Sequence, residues 1–166
     1  MAKQGVERQL VVFDLAGEVY GVSIETVREI IRMQAVTYVP DAPDFVEGVI
    51  NLRGRVIPVV DLRKRFGLTV TDATAESRVV VVDIGGEDIG VIVDAVTEVL
   101  RIGEDSVEPT SSLVTTADSY YLEGIAKVDD RLLILLDIER ALGQEAEALS
   151  EAAEAAQSTE AAAVAA

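Results

Sequence analysis

The sequence predicts a mainly β protein made of two tandem copies of a small barrel, with short helical turns and a C-terminal tail. Two internal alignments carry this prediction. Residues 9–31 align without gaps on residues 78–100, and residues 47–67 align without gaps on residues 123–143. Each copy offers four or five short β-branched runs, which suit a small closed barrel rather than a doubly wound sheet. A long repeat present only twice indicates a duplicated domain rather than a solenoid.

The alignments also divide the chain. We expect an N-terminal tail over 1–8, a first barrel over 9–72, a second over 73–143 and a tail over 144–166. The offset between the copies grows from 69 to 76, which indicates a longer loop within 103–121 of the second copy. The repeat is compatible with two barrels that keep their own strands and with two barrels that exchange strands.

The first copy opens with a strand run over 9–15 and a turn at 16–18. Further along, Ile24, Val27, Ile30 and Ile31 recur at helical spacing, and Ser23 is a suitable N-cap residue. This pattern predicts a helix after residue 24. A short extended piece follows over 36–40, and the small polar residues of 69–77 are typical of a linker.

Residues 48–67 form a hairpin pattern, with β-branched runs on both sides of Arg53-Gly54. Gly54 tolerates positive φ, so Arg53 is expected at the tip of the turn. Pro58 cannot donate to a ladder, which predicts an edge strand or a bulge there. Asp61 is expected to cap a helical turn over 62–66, which Gly67 ends.

The tail over 144–166 consists mostly of Ala and Glu. These are good helix formers, but the segment lacks a wide apolar stripe. We expect a helical start to about residue 156 and a frayed or disordered end, with a role in solubility or none. Docking to a partner is the lesser alternative.

Composition excludes several functions. The chain has 30 acidic and 14 basic residues, a formal net charge of −16, which disfavours nucleic acids and anionic membrane surfaces. It contains no Cys and no His, which removes thiol chemistry, the commonest general base and phosphohistidine. The N-terminus does not resemble a signal peptide, and the aliphatic runs are too short to span a bilayer. A cytoplasmic protein without metal or cofactor is expected.

The acidic residues fit structural roles better than catalysis. Asp14 aligns with Asp83, and Asp61 aligns with Asp137. A catalytic pair seldom recurs once in each copy of a repeat, whereas turn and cap residues do. The acids show no EF-hand spacing, no GxSxG elbow occurs, and the glycines do not form a phosphate loop. We therefore expect a protein that is not an enzyme.

The same hairpin carries a family resemblance. The runs GVINLRG over 48–54 and IPVVDL over 57–62 resemble the signature of the CheW family, and the likeness extends over about 9–142. The resemblance implies two five-stranded, SH3-like barrels. It further implies a non-enzymatic chemotaxis adaptor that bridges chemoreceptors to a CheA-type histidine kinase, recruited to receptor arrays at the inner face of the membrane.

Carried over by position, the resemblance implies a receptor-facing surface in the groove between the barrels, made by Val27, Glu29, Gly48, Arg53 and Val99. Each has a structural alternative. The two valines also fit core packing, the glycine also fits close backbone approach, and the arginine also fits a solvated turn charge. The second copy has Asp129-Asp130 at the equivalent tip, so the arginine is not required by the turn itself.

For the kinase-facing surface, the extended segment with Val36, Tyr38 and Val39 is the candidate in the first barrel. Three other functions stay open. The chain could be a CheW-like scaffold for a non-flagellar pathway, a small-ligand-binding barrel, or an enzyme that uses carboxylates.

Overall fold

A computed structural model of the protein describes residues 7–40, 42–70, 72–108 and 122–143. In these ranges the chain forms eleven strands and two short helices, so the predicted mainly β class is confirmed. In chain order the elements are β1 Glu7–Leu15, β2 Glu18–Ser23, β3 Val27–Arg32, β4 Val46–Leu52, β5 Arg55–Asp61, α1 Leu62–Arg65, β6 Arg78–Ile84, β7 Glu87–Val93, β8 Ala95–Gly103, β9 Val107–Glu108, β10 Leu122–Val128, β11 Arg131–Leu136 and α2 Ile138–Leu142.

The strands form two sheets that exchange hairpins. Sheet A has the order β8-β1-β2-β11-β10-β9, and sheet B has the order β3-β6-β7-β5-β4. The first hairpin of copy one, β1–β2, therefore lies in the sheet of copy two, and β6–β7 lies in the sheet of copy one. Parallel pairs join each exchanged hairpin to its host, β2 to β11 and β5 to β7. Each sheet therefore contains strands of both copies.

Burial explains this arrangement. Along β1, Leu10 and Val12 point into the interior of sheet A, while Val11 and Phe13 point into an apolar cluster shared by the two sheets. Strand β6 repeats the pattern between the interior of sheet B and the same shared cluster. Strands buried on both faces have continuous apolar sequences, as these two do. Among the described residues, the cluster with the most members thus forms the junction between the two sheets.

In the ranges that the structure describes, four tight hairpins have positive φ at both central residues, the conformation of type I′ turns. At the Arg53-Gly54 turn these angles are 53° and 85°, so the predicted hairpin is confirmed with Arg53 at its tip. The other turns lie at Ala16-Gly17, Gly85-Gly86 and Asp129-Asp130. Because the second copy holds two aspartates in this conformation, the turn does not require glycine.

The predicted helix after residue 24 is wrong. A 3₁₀ turn over Ile24–Thr26 leads directly into β3, which pairs with β6 from Val27 opposite Val82 onward. The β-branched side chains of this segment suit a pleated strand, and pairing with a buried neighbour overrides their helical spacing. Ser23 precedes the turn, but its side chain makes no capping bond; its carbonyl instead accepts a bond from the Thr26 hydroxyl at 2.8 Å.

Pro58 is not on an edge strand, since β5 lies between β7 and β4. The pairing of β5 with β7 begins only at Val59, after the proline. Val49 lies opposite Pro58 on β4. Its backbone C=O accepts from Thr37 at 2.8 Å and its N–H donates to Thr37 at 2.9 Å, so neither group points toward β5. The missing N–H therefore faces away from β4, and no ladder bond is lost. The bulge lies nearby in β4, between residues 46 and 48.

Asp61 caps a helix as predicted, and so does its repeat equivalent Asp137. Asp61 accepts a bond from the backbone N–H of Arg63 at 2.9 Å, and Asp137 accepts one from Arg140 at 3.1 Å. Gly67 follows the first helix with φ 71°. The predictions for the tail over 144–166, and most of the loop predicted within 103–121, lie outside the described residues; of the N-terminal tail predicted over 1–8, Glu7 and Arg8 already belong to β1. In the part of the chain that is described, no helix is long and apolar enough to cross a membrane.

Gly21 and Gly90 are repeat equivalents that test how tightly the two interiors are packed. A Cβ on Gly90 would lie 2.8 Å from Val79 Cγ1, whereas on Gly21 it would lie 3.4 Å or more from flexible leucine methyls. We expect Gly90→Ala to reduce the free energy of unfolding by about 1–3 kcal/mol through overpacking. Gly21→Ala should be neutral or stabilising by about 0.4–1 kcal/mol, because alanine restricts the unfolded chain. Urea unfolding of both variants measures the difference, and equal losses would contradict it.

Candidate functional site

Two repeat-equivalent edge strands frame the junction between the sheets. Strand β3 ends the order of sheet B, and β8 ends the order of sheet A. Val27 near the start of β3 and Val96 near the start of β8 both pack against the shared apolar cluster. The two edge strands therefore both begin at the same junction.

Glu29 and Arg53, two of the predicted receptor-facing residues, contact each other. The guanidinium binds the carboxylate through two bonds, from Nη1 to Oε2 at 2.7 Å and from Nη2 to Oε1 at 2.8 Å. This ion pair brings the tip of the β4–β5 hairpin to β3, at the opposite end of the sheet order, and so helps to close the barrel. The side chain of Arg53 nevertheless remains 72% exposed.

The ion pair changes the acidity of both groups. The hydrogen bonds from Arg53, and secondarily its charge, lower the pKa of Glu29 below its ordinary value. The same bonds raise the pKa of Arg53, so the guanidinium stays protonated. A bidentate pair of this kind fixes the planar fork of the arginine in one orientation. The tip is thus presented in a defined geometry before any partner arrives.

The second copy has a related arrangement that the sequence reasoning missed. Arg131, at the start of β11, donates to Glu98 of β8 at 3.1 Å, and Glu98 is the repeat equivalent of Glu29. The next residue on each edge is an exposed aliphatic, Ile30 at 39% and Val99 at 51%. The alignment of 9–31 on 78–100 pairs Glu29 with Glu98 and Ile30 with Val99, and this pairing is the sequence signal for the second site.

The two predicted valines occupy different environments. Val27 is half-buried, lies opposite Val82 and packs against the shared cluster, as its core-packing alternative expects. Val99 lies opposite Val11, yet its side chain is open to solvent. Of the two valines, Val99 therefore has the side chain that a partner can cover without rearrangement of the core.

Gly48 faces the protein's own backbone. Its φ is 148°, and a Cβ there would collide with the carbonyl of Thr37, lying 2.8 Å from the carbonyl carbon and 2.9 Å from Val36 Cγ1. The close approach predicted as its structural alternative is thus present. This contact places Gly48, a predicted receptor-facing residue, beside Val36, a predicted kinase-facing residue.

The candidate kinase-facing segment runs along the outer edge of β4, to which Thr37 is bridged through Val49. Val36 packs against the interior of sheet B, and Val39 is half-buried. Tyr38 between them is 75% exposed. The packing of Val36 holds the segment in place, and Tyr38 is the large side chain that the segment exposes to solvent.

Further ion pairs brace the β3 edge. Arg28 of β3 contacts Asp83 at 3.1 Å and also Asp88, and Arg55 contacts the other oxygen of Asp88 at 2.9 Å. These contacts connect β3 and β5 through the β6–β7 hairpin. Among the described residues no group of three or more acidic side chains is placed to hold a metal ion. The arrangement is an apolar and charged surface suited to binding.

A family model described as a CheW-like domain matches residues 9–146. The chain belongs to the CheW family. It is 35% identical to the chemotaxis protein CheW of Klebsiella aerogenes over 149 residues, which is 90% of each chain. It is 34% identical to that of Thermotoga maritima over 134 residues, 81% of this chain and 87% of that one.

Solved structures agree with this assignment. The crystal structure of the scaffolding protein TtCheW from Thermoanaerobacter tengcongensis superposes with a TM-score of 0.77 at 44% identity, covering 82% of this chain and 93% of that one. The predicted resemblance and the two-barrel SH3-like fold are therefore confirmed. As a CheW-family protein the chain is a chemotaxis scaffold, and this family is not one of enzymes.

The Glu29–Arg53 pair predicts a pH effect. In Arg53→Met the pKa of Glu29 should rise toward its ordinary value, because the bonds that lower it are gone. A carboxyl group whose pKa is lower in the folded state than in the unfolded state stabilises the fold at any pH above the unfolded-state pKa. This contribution is lost as the pH falls through the folded-state pKa. The measurement is a carboxyl-carbon NMR titration of Glu29. The matched control is Arg131→Met, which should leave Glu29 unchanged; an equal response to both variants would contradict the pairing.

Gly48→Ala should destabilise the fold whether or not a receptor binds there. The new methyl meets the Thr37 carbonyl, and the residue keeps a positive φ. Overpacking and backbone strain each cost about 1–3 kcal/mol, so we expect a loss of at least about 2 kcal/mol in unfolding free energy. Gly54→Ala, with open space around its Cβ, is the control for φ alone. Thermal melts that show equal losses for the two variants would contradict the collision.

Proposed function

We propose that this chain couples chemoreceptors to a CheA-type histidine kinase by binding both and catalysing nothing itself. Its membership of the CheW family supports the general role. The single observation that carries the proposal is the pair of equivalent open edges at the sheet junction, each with an exposed aliphatic beside a glutamate–arginine pair. Such a surface has both apolar area and oriented charge, which specific interfaces combine.

On this proposal the receptor's cytoplasmic tip lies along the junction, between β3 and β8. Val99 and the exposed rim of Val27 supply apolar contact, and Glu29 and Arg53 act as one charged unit. Arginine has five N–H donors, and the bonds to Glu29 leave several of them for a carboxylate or carbonyl of the receptor. Gly48 contributes indirectly, by allowing residues 36–37 to pack closely behind the hairpin.

The kinase's regulatory domain is proposed to bind the same barrel along the outer edge of β4, at the segment with Val36, Tyr38 and Val39. An exposed tyrosine on a rigid edge is a frequent interface anchor, because its ring buries much area at little entropic cost. The two partners then occupy different surfaces of one small body. A change in the bound receptor can bias the kinase through the scaffold, provided that the two kinase states bind it with different affinity.

Arg53→Glu tests the receptor surface. The reversal places two carboxylates side by side at the hairpin tip and removes the donors offered to the receptor. Loss of an interface anchor costs about 2 kcal/mol or more, so receptor affinity should fall by roughly 30-fold or more. Kinase affinity should be unchanged, because Arg53 is not part of the segment proposed to bind the kinase. Calorimetry with a soluble receptor fragment and with the kinase regulatory domain measures both.

Two controls sharpen this test. Asp129→Lys changes charge at the equivalent tip of copy two and should matter much less. The double variant Glu29→Arg, Arg53→Glu restores an ion pair with its polarity reversed. If the receptor needs the arginine at the tip, the double variant stays weak. Full recovery would instead assign the effect to hairpin position, and unchanged binding by Arg53→Glu would refute the receptor surface.

A further inference from the structure

A second arginine, Arg63 of α1, is almost completely buried, with 5% of its surface exposed. It lies between two carboxylates. Nε and Nη2 bind the two oxygens of Asp61 at 3.0 and 2.9 Å, and Nη1 binds Asp94 Oδ1 at 3.1 Å. The hydrogen bonds that Arg63 donates to Asp61, more than any other contact, raise the pKa of Arg63. A permanent charge is therefore held inside the protein.

This network runs from one sheet to the other. Asp61 ends β5 of sheet B, and Arg63 follows it in α1. Asp94 is the residue between β7 of sheet B and β8 of sheet A. Its Oδ2 accepts a bond from the backbone N–H of Ala16 at 2.8 Å, and its own N–H donates to the carbonyl of Asp14 at 3.0 Å. Both of these partners belong to the β1–β2 hairpin region of sheet A.

Stability alone does not account for a buried ion network. Removing charges from water is costly, and well-packed apolar residues of similar volume often stabilise a fold as much or more. Directional hydrogen bonds also restrict the relative positions of the groups that they join, because small displacements weaken each bond. The Arg63 network thus defines where the β7–β8 crossover sits relative to the hairpin of the opposite sheet.

The other copy does not repeat this device. Glu139 occupies the position equivalent to Arg63, and Glu25 occupies the position equivalent to Asp94. Both are exposed, and two carboxylates repel rather than join each other. The turns and caps of the two copies are equivalent, so this difference is specific. Only the crossover that leads into β8 is held by such a network among the described residues.

We propose that Arg63 and Asp94 are positioning residues for the receptor surface. Arg63 and its two carboxylate partners, Asp61 and Asp94, form a clamp. This clamp holds Asp94, which directly precedes β8 and lies five residues before Val99, against sheet B, which carries the Glu29–Arg53 pair. It thereby sets the separation of the two edges that a receptor must touch together. The part of this inference that concerns receptor binding rests on the function proposed above, whereas the clamp itself does not.

The first test measures geometry without any partner. Because the chain has no cysteine, nitroxides can be attached through Arg32→Cys on β3 and Arg101→Cys on β8, exposed repeat equivalents on the two edges. Pulsed EPR reports the distance distribution between them. In Asp94→Asn the side chain has only one oxygen, which cannot accept hydrogen bonds from both Arg63 and Ala16. The NH₂ group of the asparagine would face one of these two N–H donors. We expect a shifted or broadened distribution in this variant.

The matched control is Glu25→Gln, the same chemical change at the equivalent position of the other copy. It should leave the distance distribution unchanged. Arg63→Lys is the second variant, because an ammonium keeps the charge but lacks the fork that spans two carboxylates. It should alter the distribution in the same way as Asp94→Asn. An unaltered distribution in both clamp variants, or an equal change in Glu25→Gln, would overturn the proposal.

Affinities then connect the clamp to function. Asp94→Asn should weaken binding of the soluble receptor fragment by about fivefold or more, the lower range of coupling between sites. Affinity for the kinase regulatory domain, which contacts one barrel, should stay within about twofold of wild type. Equal loss of both partners would indicate general destabilisation and count against the proposal. If the wild-type chain binds neither partner, the proposed function fails, and the EPR result still decides the clamp.

Discussion

The apolar cluster between the two sheets is the constraint on which the rest of the structure depends. Strands β1 and β6 have apolar side chains on both faces, so each must be covered on two sides. The exchange of hairpins achieves this by placing both strands between their host barrel and the junction. The edge strands β3 and β8 begin at that junction, and the proposed receptor surface, the ion pairs beside it and the Arg63 network are all positioned from it.

Much of the fold could be predicted because it depends on local patterns. The repeat, the hairpin at residue 54 and the helix caps all follow from residues close together in the chain. The helix predicted over β3 failed for the opposite reason. The spacing of Val27, Ile30 and Ile31 fits a helix. The segment forms a strand because it pairs with β6, more than forty residues away in the sequence. The hairpin exchange was likewise invisible, because equivalent strands of the two copies have nearly the same sequence and either pairing suits the pattern.

The candidate site shows the same division. The position of Arg53 at a turn tip was predictable, but its partner Glu29 lies 24 residues earlier and is brought near only by closure of the barrel. The burial of Gly48 under Thr37 depends on a crossing segment that no periodicity reveals. Arg63 was passed over because a charged residue after a cap is ordinarily solvated. Its burial reflects an encounter with Asp94, whose location is set by the exchange.

The reciprocal exchange also bears on how such a molecule can arise. A chain with one copy alone would have a hairpin and a three-stranded remainder that belong to different barrels. Two such chains, each lending its hairpin to the other, would reproduce the same architecture as a domain-swapped homodimer. The present protein has the arrangement of that dimer with its subunits joined through the segment 69–77. Fusion frees each half to diverge, which is how one half can hold an arginine where the other holds a glutamate.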